Sequence, residues 1–251
     1  MPIITTLAAA CSKALGFADN PMIPTAALNL NFTTGTLDSR VTFTRSTTGS
    51  YYNSAGVLST AAINAPRFDY NPSTLQANGL LIEESRTNLL TYSEQFDNAA
   101  WVKSSSSVTS NVAVAPDGTT TADKLILNNG QAPASTRAVY QTISGITGTY
   151  TISIFAKTAE FRSLRISILS AAGTTLTGPT FNTDNGTYDS LGSATSASIT
   201  PKGNGWYQCV ATFDFLTGAT VPRVYFASTQ ATGNGTSGIY IWGAQLEAGS
   251  F

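Results

Sequence analysis

Histidine is absent from the 251 residues, which removes the commonest general base and the commonest metal ligand together. No G-x-S-x-G stretch occurs either, so no nucleophile–base pair can be assembled. Charge is scarce. Asp, Glu, Lys and Arg make up 11% of the chain, against about 25% in an average domain, and the net charge is −1. That balance supplies no basic field for nucleic acid or anionic lipid. Apolar residues nowhere approach the ~20 consecutive positions of a membrane-spanning helix, so no membrane insertion is expected. The two cysteines, Cys11 and Cys209, lie far apart in unlike contexts, which argues against a disulfide framework. Neither a metal nor a cofactor is implied. Glycoside hydrolysis would need two carboxyl groups facing each other across a cleft. Glu83 and Glu84 are neighbours on a presumed strand and point to opposite faces, one of them suited to pair with Arg67 or Arg86. Asp69, Glu94, Asp97 and Glu160 are scattered through loops and hairpins. Catalysis is therefore not expected, and a depolymerase would have to bring its acids together across subunits.

What the chain has in quantity is alternation. Between 203 and 249 it reads GNGWYQCVATFDFLTG, VPRVYFASTQATGNGTSG and IYIWGAQLEAG, runs rich in β-branched and aromatic residues bounded by Gly, Asn, Ser and Thr. Within 206–215, Tyr207, Cys209, Ala211, Phe213 and Phe215 form the apolar face. Trp206, Gln208, Val210, Thr212 and Asp214 form the other. In the same way 150–157 turns Tyr150, Ile152, Ile154 and Ala156 inward and leaves Phe155 on a polar outer face. Strand 162–169 turns Leu164, Ile166 and Ile168 inward and Arg165 outward. Strand 222–228 turns Val224 and Phe226 inward and leaves Arg223 and Tyr225 outside. Ile239 and Ile241 alternate with Tyr240 and Trp242, and periodicity alone leaves open which pair faces inward; Trp242 is read as core. Trp101 is read as a plug at one end of a sandwich. Strands recur at intervals of about 8–15 residues with turn signals such as Asp117-Gly118 and Asn185-Gly186, the habit of an all-β jelly roll or a related sandwich. Asp184, Asn185 and Asp189 lack the spacing of a calcium loop and read as a hairpin.

The N-terminal third reads differently. Residues 1–27 form an arm: Ile3, Leu7, Ala10 and Ala14 recur at helical spacing, predicting a short helix over 4–15 that needs a partner surface. Ala-Ala-Ala-Cys at 8–11 resembles a lipoprotein cleavage site, but no Lys or Arg precedes the short apolar run, so a signal peptide is not expected. A linker follows at 19–27, where prolines block regular structure. Residues 28–90 form a small β-rich domain. LNLNF at 28–32 and VTFTR at 41–45 alternate and are expected to pair. A hairpin is expected with its bend at 53–56, a second with its turn at Asn71-Pro72, and a buried strand at 79–83. So little apolar bulk favours oligomerisation.

The ordered series NLLTYSEQFDNAAWVK, APDGTTTADKL, VYQTI, YTISIFAK, GNGWYQCVATF and GIYIWGAQLEAG resembles the carbohydrate-binding-module-like domains of bacteriophage fibres and other virion proteins. DSRVTFTRSTTGSYYNSAGVLSTAAINAPRFDYNP and GLLIEESRTNLL resemble the segment that commonly precedes such a module. The resemblance implies a jelly roll over 91–251 and a non-enzymatic virion component, a fibre, spike or decoration subunit assembled in the host cytoplasm and placed on the particle surface. Residues 1–27 would anchor it to other virion proteins of the capsid, portal, collar or tail. It implies a homotrimer, glycan as a ligand, and a receptor-binding tip beyond the present C-terminus. A sugar-binding face needs flat aromatic rings with polar groups beside them. Phe155, Arg165, Trp206, Gln208, Arg223 and Tyr225 are the candidates. The same six positions would equally serve a subunit interface or pack beneath loops. A free glycan-binding lectin-like module is the alternative to an assembly part.

Overall fold

Alternating apolar positions drive most of the elements in the computed structural model, which describes residues 30–83, 86–130, 137–143, 145–169, 175–215, 223–227 and 232–250, with the side chains of 169, 175, 176 and 223–225 excepted. The arm 1–27 and its expected helix lie outside the described residues. In chain order the strands are β1 (Gly49–Tyr52), β2 (Leu58–Ala61), β3 (Phe68–Tyr70), β4 (Ala77–Leu80), β5 (Val102–Ser104), β6 (Ser106–Ala113), β7 (Ala122–Leu127) and β8 (Ala138–Thr142). They continue with β9 (Gly148–Lys157), β10 (Ser163–Leu169), β11 (Thr175–Asn182), β12 (Thr187–Tyr188), β13 (Ser196–Pro201), β14 (Trp206–Phe215), β15 (Arg223–Ala227) and β16 (Gly238–Ala248).

Two six-stranded antiparallel sheets face each other, ordered β12-β11-β10-β15-β8-β5 and β13-β14-β9-β16-β7-β6. The pairing is nested: β7 with β16, β8 with β15, β9 with β14, β10 with β11. Nesting of that kind is a long hairpin rolled onto itself, a jelly roll. Its core is built from the faces that alternation assigns. Ile152 and Ile154 of β9, Cys209, Ala211 and Phe213 of β14, and Ile239 and Ile241 of β16 meet Leu164, Ile166, Ile168, Phe181 and Phe226 of the opposite sheet. Burial of each large side chain contributes about 1.5–3 kcal/mol. Trp101 closes one end against Phe96 and Phe226, with ring centroids 4.8 and 5.9 Å away. Its indole N–H donates to Tyr92 O at 2.9 Å.

Two hairpins precede the sandwich. β1 and β2 pair across the expected bend, where Asn53 Oδ1 accepts from Ala55 N (2.9 Å) and Val57 N (3.1 Å). β3 and β4 pair across the Asn71-Pro72 turn, where Asn71 Oδ1 accepts from Ser73 N and Thr74 N. Arg67 bonds Glu83 at 2.5 Å, the ion pair the sequence allowed. Three expected strands need correction. Asn31 folds its side chain onto Thr33 N and caps a 3-10 turn at Phe32–Thr34, so the described part of LNLNF has no sheet partner. At 41–45 the backbone follows a turn, with Val41 N donating to Asp38 O and Arg45 N to the Asn64 side chain instead of a strand. The strand expected at 79–83 ends at Leu80 instead, and Ile82 is 77% exposed.

Candidate functional site

The six positions singled out for a sugar-binding face divide between the two sheets. Phe155, Trp206 and Gln208 share the outer face of the β13–β6 sheet: Gln208 lies opposite Phe155, and Trp206 opposite Lys157. Arg165 lies in the other sheet, with Nε donating to Thr180 Oγ1 at 3.0 Å. Arg223 and Tyr225 are in register opposite Leu169 and Ser167 in that second sheet, and their side chains lie outside those described. Alternation fixes which side of a strand a residue occupies but not which sheet receives the strand. The six therefore cannot form one surface.

The aromatic part of that face is not open either. Phe155, Trp206 and Trp242 pack with Ala115, Ala122 and Leu58 into a second, smaller apolar cluster under the loop that joins β6 to β7. Trp206 donates from Nε1 to Val114 O at 3.0 Å, Trp242 from Nε1 to Thr121 Oγ1 at 3.1 Å, and the Phe155 and Trp242 rings meet edge to face at 5.5 Å. Trp206 is 1% exposed and Phe155 8%. These rings serve packing. The second cluster fastens β2 and the β6–β7 loop to the sandwich, helped by Leu58 N donating to Pro116 O at 3.2 Å.

An accessible concavity lies nearby, where the hairpins meet the end of β13. It is a cleft of about 250 Å³ lined on the hairpin side by residues including Tyr52, Asp69, Tyr70 and Asn78 and on the sandwich side by Thr200, Pro201 and Lys202. Each group is positioned by an identifiable local feature. The Asn71-capped turn brings Pro72, Ser73 and Thr74 to the rim. Asp69 is fixed on both oxygens: Oδ1 accepts from Tyr52 N and Oδ2 from Asn78 Nδ2, each at 2.9 Å. Lys202 stands at the start of the β13–β14 turn, where its N–H donates to Trp206 O at 2.8 Å. Gly203, Asn204 and Gly205 in that turn all have positive φ, which Gly and Asn tolerate best. One tight turn thus aims Lys202 into the cleft and delivers Trp206 to the buried cluster.

The cleft holds one cation and one acid, Lys202 and Asp69. The Lys202 ammonium sits 5.2 Å from the centroid of the Tyr52 ring. Burial pushes its pKa below the ordinary lysine value, with the Asp69 charge opposing. Burial, reinforced by Asp69, pushes the Tyr52 phenol well above its ordinary value. Tyr52 is 7% exposed, and its hydroxyl has no hydrogen-bond partner. Asp69 is the one acid among the lining residues. Rings, an amide, hydroxyls and a cation are suited to holding a polyhydroxylated ligand, whereas hydrolysis by a carboxyl pair would need a second acid. The cleft draws on 52–78 and 200–202, segments that no linear pattern connects, and sequence reasoning missed it. The GNG turn at 203–205 was a local sign of it.

Elsewhere the acids of the 183–189 hairpin are held by neighbouring groups, Asp184 by Thr158 Oγ1 and Arg162 and Asp189 by Thr180 N. Among the described residues no group of acids and cysteines could hold a metal ion. Cys209 is fully buried.

No family model and no curated protein matches this chain. Solved structures align with part of it. The enzymatically active domain of bacteriophage CBA120 tailspike protein 4 is 18% identical, over 63% of this chain and 21% of that one, with a TM-score of 0.38. A CBM4 structure is 18% identical over 61% of this chain and 81% of its own, with a TM-score of 0.36. The alignment thus spans about a fifth of the length of that tailspike domain.

Proposed function

We propose that the chain is a non-enzymatic glycan-binding protein of a bacteriophage particle, a fibre, spike or decoration subunit whose jelly roll is displayed on the virion surface. The observation that carries the binding part is the cleft between hairpins and sandwich, with its tyrosines, amide, hydroxyls and lysine around a single, doubly hydrogen-bonded acid. The virion part rests on the ordered motifs from 30 to 249 and on a surface poor in charge. In this reading residues 1–27 anchor the subunit to capsid, portal, collar or tail, and a closed trimer is its assembled state.

A second reading is a free lectin-like module, in which the cleft lined by Tyr52, Asp69, Asn78 and Lys202 would bind glycan without assembly into a particle. Probing a glycan array with the full chain, together with antibody labelling of particles, tests both. Binding with labelled particles supports the virion subunit. Binding by a chain absent from particles supports the lectin. No glycan bound refutes both, and reducing ends released from a host polysaccharide would establish a depolymerase instead.

A further inference from the structure

We infer that the cleft between the β3–β4 turn and the end of β13 takes a single uncharged pyranose, the terminal unit of a neutral glycan, set against the Tyr70 ring and bonded through its hydroxyls to Ser73, Thr74, Asn78 and Thr200. The inference rests on the glycan-binding reading and narrows it to a substrate class.

Charge decides the first half. Lys202 and Asp69 are the charged groups lining the cleft, and the Asp69 carboxylate lies close enough to act on the Lys202 ammonium. Their fields oppose, so a bound carboxylate gains at Lys202 what it loses at Asp69, and a bound amine the reverse. Either ion would still forfeit hydration on entering, a cost that an uncharged ligand escapes. The other polar groups are neutral and available. Among the described residues no group bonds the hydroxyls of Tyr70, Ser73, Thr74 or Thr200. Asn78 gives Nδ2 to Asp69 and keeps its carbonyl oxygen as an acceptor. Groups that both donate and accept match the hydroxyls of a sugar. Tyr52 is buried, with the Lys202 ammonium over its ring, which leaves the half-buried Tyr70 for the apolar side of a pyranose.

Size decides the second half. A space of about 250 Å³ falls below the range for drug-sized ligands, so it admits one sugar ring and leaves the next to solvent. The rings of Phe155 and Trp206, which could have seated further units, are buried in the second apolar cluster.

The test is NMR titration of the full chain with methyl glucoside, galactoside and mannoside, with the uronide and 2-amino form of each, and then with short oligosaccharides of whichever hexose binds. The expected result is one neutral hexoside binding about tenfold tighter than its uronide and its amino form, with its oligosaccharides within about twofold of it. Tyr70→Ala should weaken that binding severalfold. Thr200→Val, at an exposed position of β13, should weaken it with an unchanged melting temperature. Lys202→Met should turn the preference toward the amino form, because Asp69 is then uncompensated. A uronide or amino sugar bound more tightly by the wild type would overturn the neutral assignment and leave glycan binding standing. Affinity that climbs about tenfold or more with chain length would overturn the terminal-unit assignment. Binding indifferent to both Tyr70→Ala and Thr200→Val would overturn the cleft as its seat. Silence from the whole panel would overturn the inference, and a positive glycan array with the same chain would then keep the broader glycan reading.

Discussion

Replacing Trp206 by alanine separates a packing role from a ligand-binding one, because the two predict opposite costs. A tryptophan on an open sugar-binding face contributes little to stability, and its loss would be felt in affinity. The indole of Trp206 is instead 1% exposed, packed with Phe155 and Trp242, and bonded to Val114 O. Burying a tryptophan removes roughly 150–250 Å² from water, which at about 25 cal/mol per Å² gives an upper bound of about 4–6 kcal/mol. Truncations of buried aromatic residues cost about 3–5 kcal/mol, and the alanine variant is expected in that range. Trp206→Phe keeps most of the packing and loses the hydrogen bond, for about 1–2 kcal/mol. Urea unfolding followed by tryptophan fluorescence and circular dichroism reads both as shifts in midpoint at constant slope. A Trp206→Ala cost below about 1 kcal/mol, accompanied by loss of glycan binding, would refute the burial of this face.

Asp123 is 1% exposed and accepts from Phe96 N (2.8 Å) and Asn111 N (3.0 Å), so Asp123→Asn should cost about 1–3 kcal/mol, measured as a lowered unfolding midpoint, because an amide turns a donor toward one of those N–H groups. Gly178→Ala should be strongly destabilising: a Cβ there would meet Ile166 O and a Phe213 ring carbon at van der Waals overlap, and a drop in soluble yield or melting temperature checks it. Glu160 has its pKa held below the ordinary carboxylate value by hydrogen bonds from Lys124 and from Gly238 N. Its contribution is therefore complete above the unfolded-state value and lost as pH falls through the depressed one. Melting temperatures of the wild type and Glu160→Gln should differ at neutral pH and converge in acid. Cys209 is buried and its thiol pKa is pushed up by that burial, so a thiol reagent should leave it unmodified until the protein unfolds.

The sandwich was readable because its inner strands carry period-two patterns with one apolar face, and β9, β10 and β14 turn inward the residues that alternation selects. The bends at 53–56 and Asn71-Pro72 were readable because Asn side chains bond the backbone two to four residues on. Alternation failed at 30–32 and 41–45, where Asn31 and Asp38 offer local partners and Asn64 a more distant one in place of a ladder. It failed more instructively for the aromatic face. Trp206 and Phe155 do point away from the main core, as the period requires, but the β6–β7 loop and β2 return to cover them. Neither the covering loop nor the cleft beside Lys202 is encoded by neighbours in sequence. Both arise from contacts between segments more than 90 residues apart, such as Trp206 with Val114.

The most direct measurement of glycan binding at this cleft is an amide NMR titration of the full chain with oligosaccharides prepared from host-surface polysaccharide. The expected result is a cluster of perturbed signals at Asp69, Asn78 and Lys202, with those of Gln208 and Val210 on the covered sheet unmoved. Perturbations centred on that sheet, or none at all at saturating ligand, would contradict it.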